Sequence, residues 1–411
     1  MRFNYDNLRD YPFDLEGGWM NKALKIYLLG IPALFLLVAC RKQNQMESYI
    51  ENGVEVVHNL SAAQDRMAEP GLSQILSIDT ENEETVAYGL DDIWGFDVNS
   101  SGKIFIYNSP LSQGDCILKF EGTGEFIKSF GRKGQGPGEI QLPLYQKINR
   151  DDEVSLLDFG GQKLIVFDED GDLIEESKPE IRIFDRGMLL PLTNGNYLYR
   201  NLEMDASRES ISLILLLIDS NLDEIVEFGR ISIANPRLVT QFVYPFPVLT
   251  WGLSNQHIFV GVEERGYDIH VYDFEGKLIR KIRKEFTKVP FSEEGQKQAL
   301  KRWEGYGSVG EKIVTPSFNP PFQHIFADDS GRLFVVTFEP GNNNGEYMTD
   351  VFDPDGVLCC RLSLRLHLNK NVFLPDGHWD SWVTAKNNIL YCINEKESGH
   401  KELVAYKMIE E

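Results

Sequence analysis

Residues able to do chemistry are present in this chain, but almost nowhere in the spacing that chemistry requires. The seven histidines, His58, His257, His270, His324, His367, His378 and His400, form no H-x-x-x-H or H-E-x-x-H pair. No helix face therefore offers two imidazoles to a zinc ion. Asp168-x-Asp170-Gly171-Asp172 begins like a calcium loop. Its sixth position is Leu173 and its twelfth is Pro179, where glycine and a bidentate carboxylate belong, so it reads as a turn. Gly134-x-Gly136-x-Gly138 has neither the spacing nor the following helix of a dinucleotide-binding loop. Ser308, in Gly305-Tyr306-Gly307-Ser308, is one residue out of step with a nucleophile elbow. Cys116, Cys359, Cys360 and Cys392 all lie in apolar strand patterns and are expected as buried free thiols. As strand neighbours, Cys359 and Cys360 should point to opposite sides. No catalytic residue, metal or cofactor is expected on these grounds.

Binding is the chemistry left. Aromatic residues and a base gather in long connections: Tyr145, Arg186, Phe242, Tyr244, Phe246, Trp303, Tyr306, Phe318, Phe322 and Trp379. His324 and His378 open strand patterns, and Trp94, Trp251 and Trp382 lie on or near the same strands. The candidate ligand contacts are Arg186, Trp251, Trp303, Tyr306, His324 and His378. Each has a plainer reading beside it. A single strand histidine is more often structural, and a strand tryptophan more often packs a core.

The elements that would position these residues repeat. An apolar residue, an acidic residue, a Gly or Asn turn and a second apolar run recur at 119–127, 166–174, 217–225, 271–279 and 351–359. A sixth copy begins at 404 and runs out of chain. Between these copies lie six further hairpin signals, at 96–108, 148–159, 189–201, 249–262, 324–338 and 380–394. Six alternating pairs of hairpins give six four-stranded meanders, hence an all-β, six-bladed β-propeller over residues 51–411. The sixth blade lacks its outer strand. Either 54–60 or 73–79 must return from the N-terminus to close the ring.

Short turns join the first strand of each blade to the second and the third to the fourth, so they share one face of the disc. The other face carries the long connections 131–146, 201–210, 235–247, 285–322, 339–347 and 366–379, and ligand contact is expected there. The insertion 285–322 should contain a short helix over 292–303, capped by Ser292.

One repeat has a recognisable motif. Phe130-Gly131, Gly134, Gly136, Gly138, Glu139, Pro143, Asp158, Phe167-Asp168 and Gly171 together resemble the NHL repeat. The chain is similar to the six-bladed propeller lipoproteins common in Bacteroidetes-type bacteria. That resemblance implies the architecture of about residues 50–411 and no particular activity. A second resemblance, to calcium-dependent propeller lactonases, implies a channel calcium held by oxygen ligands from inner strands. The inner-strand carboxylates available, Asp91, Asp92, Asp97 and Asp380, come from only two blades. A non-catalytic binding or scaffold role is therefore the leading expectation, with the lactonase-like enzyme as its alternative.

Ahead of the repeats, Leu24–Ala39 is apolar except for Lys25 and ends in Leu37-Val38-Ala39-Cys40. This is similar to the lipobox of bacterial lipoproteins and implies a signal peptide over 1–39, lipidation at Cys40 and a tether over 40–50. The nineteen preceding residues carry four carboxylates, unlike a positive leader, which makes Met20 a candidate start. The net charge of −22 opposes binding to nucleic acid. The expected setting is the cell envelope, at the outer membrane facing the periplasm, with membrane contact through the lipid alone. The expected partner is an envelope protein, a peptide or a glycan.

Overall fold

The computed structural model describes residues 46–60, 70–149, 151–178, 188–304, 312–366 and 382–409. The leader, Cys40, Arg186, Tyr306 and His378 lie outside these residues.

Six antiparallel sheets follow one another in chain order. Blade 1 is Ile93–Val98, Ile104–Asn108, Ile117–Phe120 and Phe126–Phe130; blade 2 is Pro143–Ile148, Val154–Asp158, Lys163–Phe167 and Leu173–Ser177. Blade 3 is Met188–Pro191, Tyr197–Met204, Ser210–Ile218 and Glu224–Ala234; blade 4 is Leu249–Leu253, Ile258–Val262, Asp268–Tyr272 and Leu278–Lys284. Blade 5 is His324–Ala327, Leu333–Pro340, Tyr347–Phe352 and Leu358–Leu364. Blade 6 takes Val383–Lys386, Ile389–Glu395 and Lys401–Ile409 from the C-terminus. The molecule is a six-bladed β-propeller.

Local chemistry explains the regularity. Second strands such as Ile104–Asn108, Val154–Asp158 and Ile258–Val262 are buried at every residue, because neighbouring blades cover both faces. The recurrent aspartate caps its own turn. Asp168 Oδ1 accepts the Asp170 and Asp172 N–H groups at 2.9 and 2.8 Å, and Asp353 Oδ1 accepts those of Asp355 and Val357 at 3.0 and 2.9 Å. The glycine of the same turn sits at positive φ, 81° at Gly171 and 82° at Gly356. The calcium-like spacing at Asp168 is thus turn chemistry, repeated blade after blade.

The outer hairpin of every blade also carries a β-bulge at one equivalent place. One extra residue enters the fourth strand: Ile127, Ile174, Ile225, Ile279, Cys359 and, in the closing strand, Ile75.

Closure falls to the second of the two sequence candidates. Gly71–Asp79, which contains 73–79, pairs antiparallel with Lys401–Ile409 as the outer strand of blade 6. The other candidate does something the repeat does not foretell. Val54–Asn59 forms a hairpin with Met46–Glu51, which begins inside the segment 40–50 read as tether, and pairs parallel with Leu278–Lys284. Blade 4 thereby becomes six-stranded. Asn59 fastens the hairpin across two blades: its Nδ2 donates to the carbonyls of Arg283 (3.2 Å) and Gly356 (3.0 Å), and its Oδ1 accepts the Leu358 N–H at 2.8 Å. Glu51 bridges Arg283 and Lys281 at 2.5 and 2.8 Å, and Arg280 Nε donates to Glu55 at 2.9 Å.

Candidate functional site

The inner strands converge at the propeller axis, and residues at their ends and in the turns that follow line a cavity of about 100 Å³. Every blade contributes: Asp97, Lys147, Thr193, Asn255, Asp329 and Lys386. All six stand at or just before the turn into the second strand, so this mouth opens on the short-turn face. A neighbouring groove lies between the turns of blades 5 and 6, lined by Asp328, Arg332, Pro354 and Asn387.

The axial charges are largely committed to structure. Asp97 is buried; its Oδ1 accepts the Val98 N–H at 2.9 Å, and its Oδ2 accepts the Ile148 N–H at 2.8 Å and lies 3.2 Å from Lys147 Nζ. Lys386 Nζ donates to the Val98 carbonyl at 2.7 Å. Asp97, one of the inner-strand carboxylates considered for calcium, thus stitches blade 1 to blade 2. Among the described residues no group of three or more His, Cys, Asp or Glu is placed to hold a metal ion. The cavity holds roughly three waters at about 30 Å³ each, far below the roughly 300 Å³ at which small-molecule pockets begin.

Of the sequence candidates, three can be placed. Trp251 is buried between blades 3 and 4, with the Arg200 guanidinium 5.8 Å from its ring centroid. Among the described residues its Nε1 has no hydrogen-bond partner. His324 is buried one blade further on, where its Nδ1 meets Thr250 Oγ1 at 3.0 Å. The same hydroxyl oxygen accepts the Ile325 N–H at 3.2 Å. Nε2 is buried without a hydrogen-bond partner among the described residues, and burial pushes the imidazole down to about 4. Trp303 ends the helix Glu293–Trp303, which the Ser292 side chain caps by accepting the Gly295 N–H at 3.0 Å.

Trp303 packs edge-on against Phe242, Tyr244 and Phe246 at centroid distances of 5.3, 5.8 and 6.3 Å. Those three rings, expected at a ligand surface, are buried. They fasten the connections 235–247 and 285–322 into one flap, completed by parallel pairing of Phe242–Val243 with Ile313–Val314. Alternation in this pair turns Phe242 and Ile313 to the core and leaves Val243 and Val314 side by side at 51% and 42% exposure. Leu238, Leu300 and Phe318 on the same connections are exposed too. Sequence reading included Phe318 among its aromatics but missed the aliphatic Val243 and Val314, because only the register shows which of two adjacent apolar residues faces out.

The cysteines divide. Cys116 and Cys392 are buried, and burial pushes their thiols up, to about 11 and about 12. Cys359 is exposed and Cys360 half-buried, which corrects the expectation of four buried thiols. Cys359 is the extra residue of the blade 5 bulge, where its Sγ lies 3.2 Å from the Val351 carbonyl, and Cys360 is the residue that pairs with Val351, so both cysteines stand at that one residue. The bulge interrupts the alternation on which the opposite-sides expectation rested.

Fold and site define the class as a six-bladed β-propeller with a small axial mouth and a flap of long connections. Comparison with known proteins agrees. Residues 97–243 match a family model described as DUF5128, 6-bladed beta-propeller. No curated protein matches the sequence. Solved structures similar to it include an exported protein of Bacteroides fragilis, at 14% identity over 86% of this chain and 100% of that one, with a TM-score of 0.48. A member of the DUF4221 family from Bacteroides vulgatus is 12% identical over 90% and 100%, with a TM-score of 0.42. Virginiamycin B lyase from Staphylococcus aureus is 10% identical over 82% and 100%, with a TM-score of 0.40. Likeness at these identities carries no activity across.

Proposed function

We propose that this chain is an envelope-anchored, non-catalytic binding propeller that holds a polypeptide partner on its long-loop face. The observation carrying this reading is the flap, where Val243 and Val314 stand exposed side by side on a backing of packed aromatic rings. A rigid exposed apolar patch is what a polypeptide partner buries. A glycan would instead call for a platform of several exposed aromatic rings, and here Phe318 is exposed while Phe242, Tyr244 and Phe246 lie beneath the surface. The axial mouth is too small to favour a small-molecule ligand, and Asp97 is spent on joining blades. Anchoring rests on the apolar segment ending at Cys40, and the periplasm-facing outer membrane remains its expected setting.

Photocrosslinkers placed at Val243 and Val314 in the living cell test the face, with Glu169 and Glu275 on short turns as controls. Polypeptide adducts from the flap positions, absent from the controls, are the expected result. Adducts from the short-turn positions alone would reverse the assignment. Cys40→Ala should separately abolish incorporation of labelled fatty acid, and unchanged incorporation would remove the anchor from the reading.

A further inference from the structure

Blade 5 departs from its siblings at one point. In the other five blades the extra residue of the outer bulge is isoleucine; in blade 5 it is Cys359, and the next residue is Cys360. In a regular strand adjacent thiols face apart; here the bulge breaks that alternation and sets both cysteines at Val351. Cys359 is exposed and its Sγ lies 3.2 Å from the Val351 carbonyl, while Cys360 is half-buried behind it.

We propose that Cys359 and Cys360 form a redox-active dithiol, which closes to a disulfide between the two adjacent residues by exchange with a disulfide-bearing oxidant. The two residues have different parts to play. A hydrogen bond from Cys360, with the charge of Arg332 nearby, pulls the Cys359 thiol down, while the same bond and burial push Cys360 up. Cys359 is thus the attacking thiolate and Cys360 the resolving thiol, the pairing that redox-sensing cysteines use. The Cys359 thiolate attacks one sulfur of the oxidant, forming a mixed disulfide and expelling the other sulfur as a thiolate. Cys360 then gives up its proton and attacks Cys359 Sγ, expelling the second thiolate. Two protein thiols are oxidised, one oxidant disulfide is reduced to two thiols, and the two protons end on the leaving sulfurs.

Adjacent Cα atoms are about 3.8 Å apart, closer than the usual disulfide span of about 4.4–6.8 Å, so the closed form is strained and easily reduced. An oxidising envelope would supply the oxidant, but the chemistry depends on blade 5 alone and not on the partner-binding reading.

The test incubates the full chain with glutathione disulfide, traps free thiols by alkylation and maps the peptides by mass spectrometry. The peptide bearing both cysteines should lose two hydrogens and regain them with dithiothreitol. Cys360→Ser should accumulate a lasting glutathione adduct at Cys359, and Cys359→Ser should react at Cys360 at least about tenfold more slowly. Cys359→Ile, which installs the residue the other blades carry, should keep the wild-type melting temperature and lose the reaction. A lasting adduct on the wild-type chain, two free thiols after treatment, or equal reactivity in Cys359→Ser would each overturn the proposal.

Discussion

Lys284 Nζ lies 2.6 Å from Asp350 Oδ2, with both side chains fully buried at the joint between blades 4 and 5. Tyr267 donates its hydroxyl to the same carboxylate at 2.6 Å, and Arg361 donates to Oδ1 at 2.8 Å while reaching Glu339 at 2.5 Å. Removing one partner strands a buried charge, so Asp350→Ala should lower the unfolding free energy by about 3–5 kcal/mol. The double variant Lys284→Met, Asp350→Leu should lose less than the single one. Urea titration of the three proteins measures both differences, and a double variant weaker than Asp350→Ala would contradict this account.

The Asn59 clip is expected to act locally. Asn59→Ala leaves the Leu358 N–H and the Gly356 carbonyl without their partner, at a cost of about 1–3 kcal/mol. Amide hydrogen exchange should accelerate over residues 46–59 while the second strands of blades 1 and 2 keep their protection. Uniform acceleration across all blades would mean that the hairpin is integral to the ring.

Deletions distinguish the two N-terminal segments. Without residues 46–60 the ring still has Gly71–Asp79 to close it and should remain monomeric, with a lower melting temperature. Extending the deletion through Asp79 bares the Lys401–Ile409 edge and should cause association. Light scattering during a thermal melt reads both outcomes.

His324 makes stability depend on pH in one direction. In the unfolded chain it takes a proton near its ordinary 6.5, but in the fold only near about 4. Between these values the unfolded state binds more protons, so the contribution is complete above about 6.5 and disappears as pH falls to about 4. Its size is about 3 kcal/mol at a cost of about 1.4 per pH unit. Burial and Arg265 push His270 to about 4 as well, and that residue adds to the same slope. The decisive measurement is therefore the difference between wild type and His324→Gln. The variant should show the shallower loss between pH 6.5 and 4, and parallel curves would rule His324 out.

Blade number and strand order were legible along the chain because each unit is local: Asp168 and Gly171 make their turn with residues two to four positions away. The Ser292 cap and the helix it begins were legible for the same reason. Closure was only half legible, since 54–60 and 73–79 are both short apolar strands and nothing within either names its partner. Parallel pairing with Leu278–Lys284, and an Asn59 that reaches Gly356 and Leu358, are contacts across more than two hundred residues. The outer bulge shifts which neighbour faces which way, so the period-two rule failed at Cys359 and Cys360. In the flap, Phe242 and Val243 are equally apolar on paper, and only their register against Ile313 and Val314 buries one and exposes the other. Local turn chemistry determined the repeat; long-range pairing and register, which depend on what the rest of the chain presents, decided the hairpin, the dithiol and the exposed face.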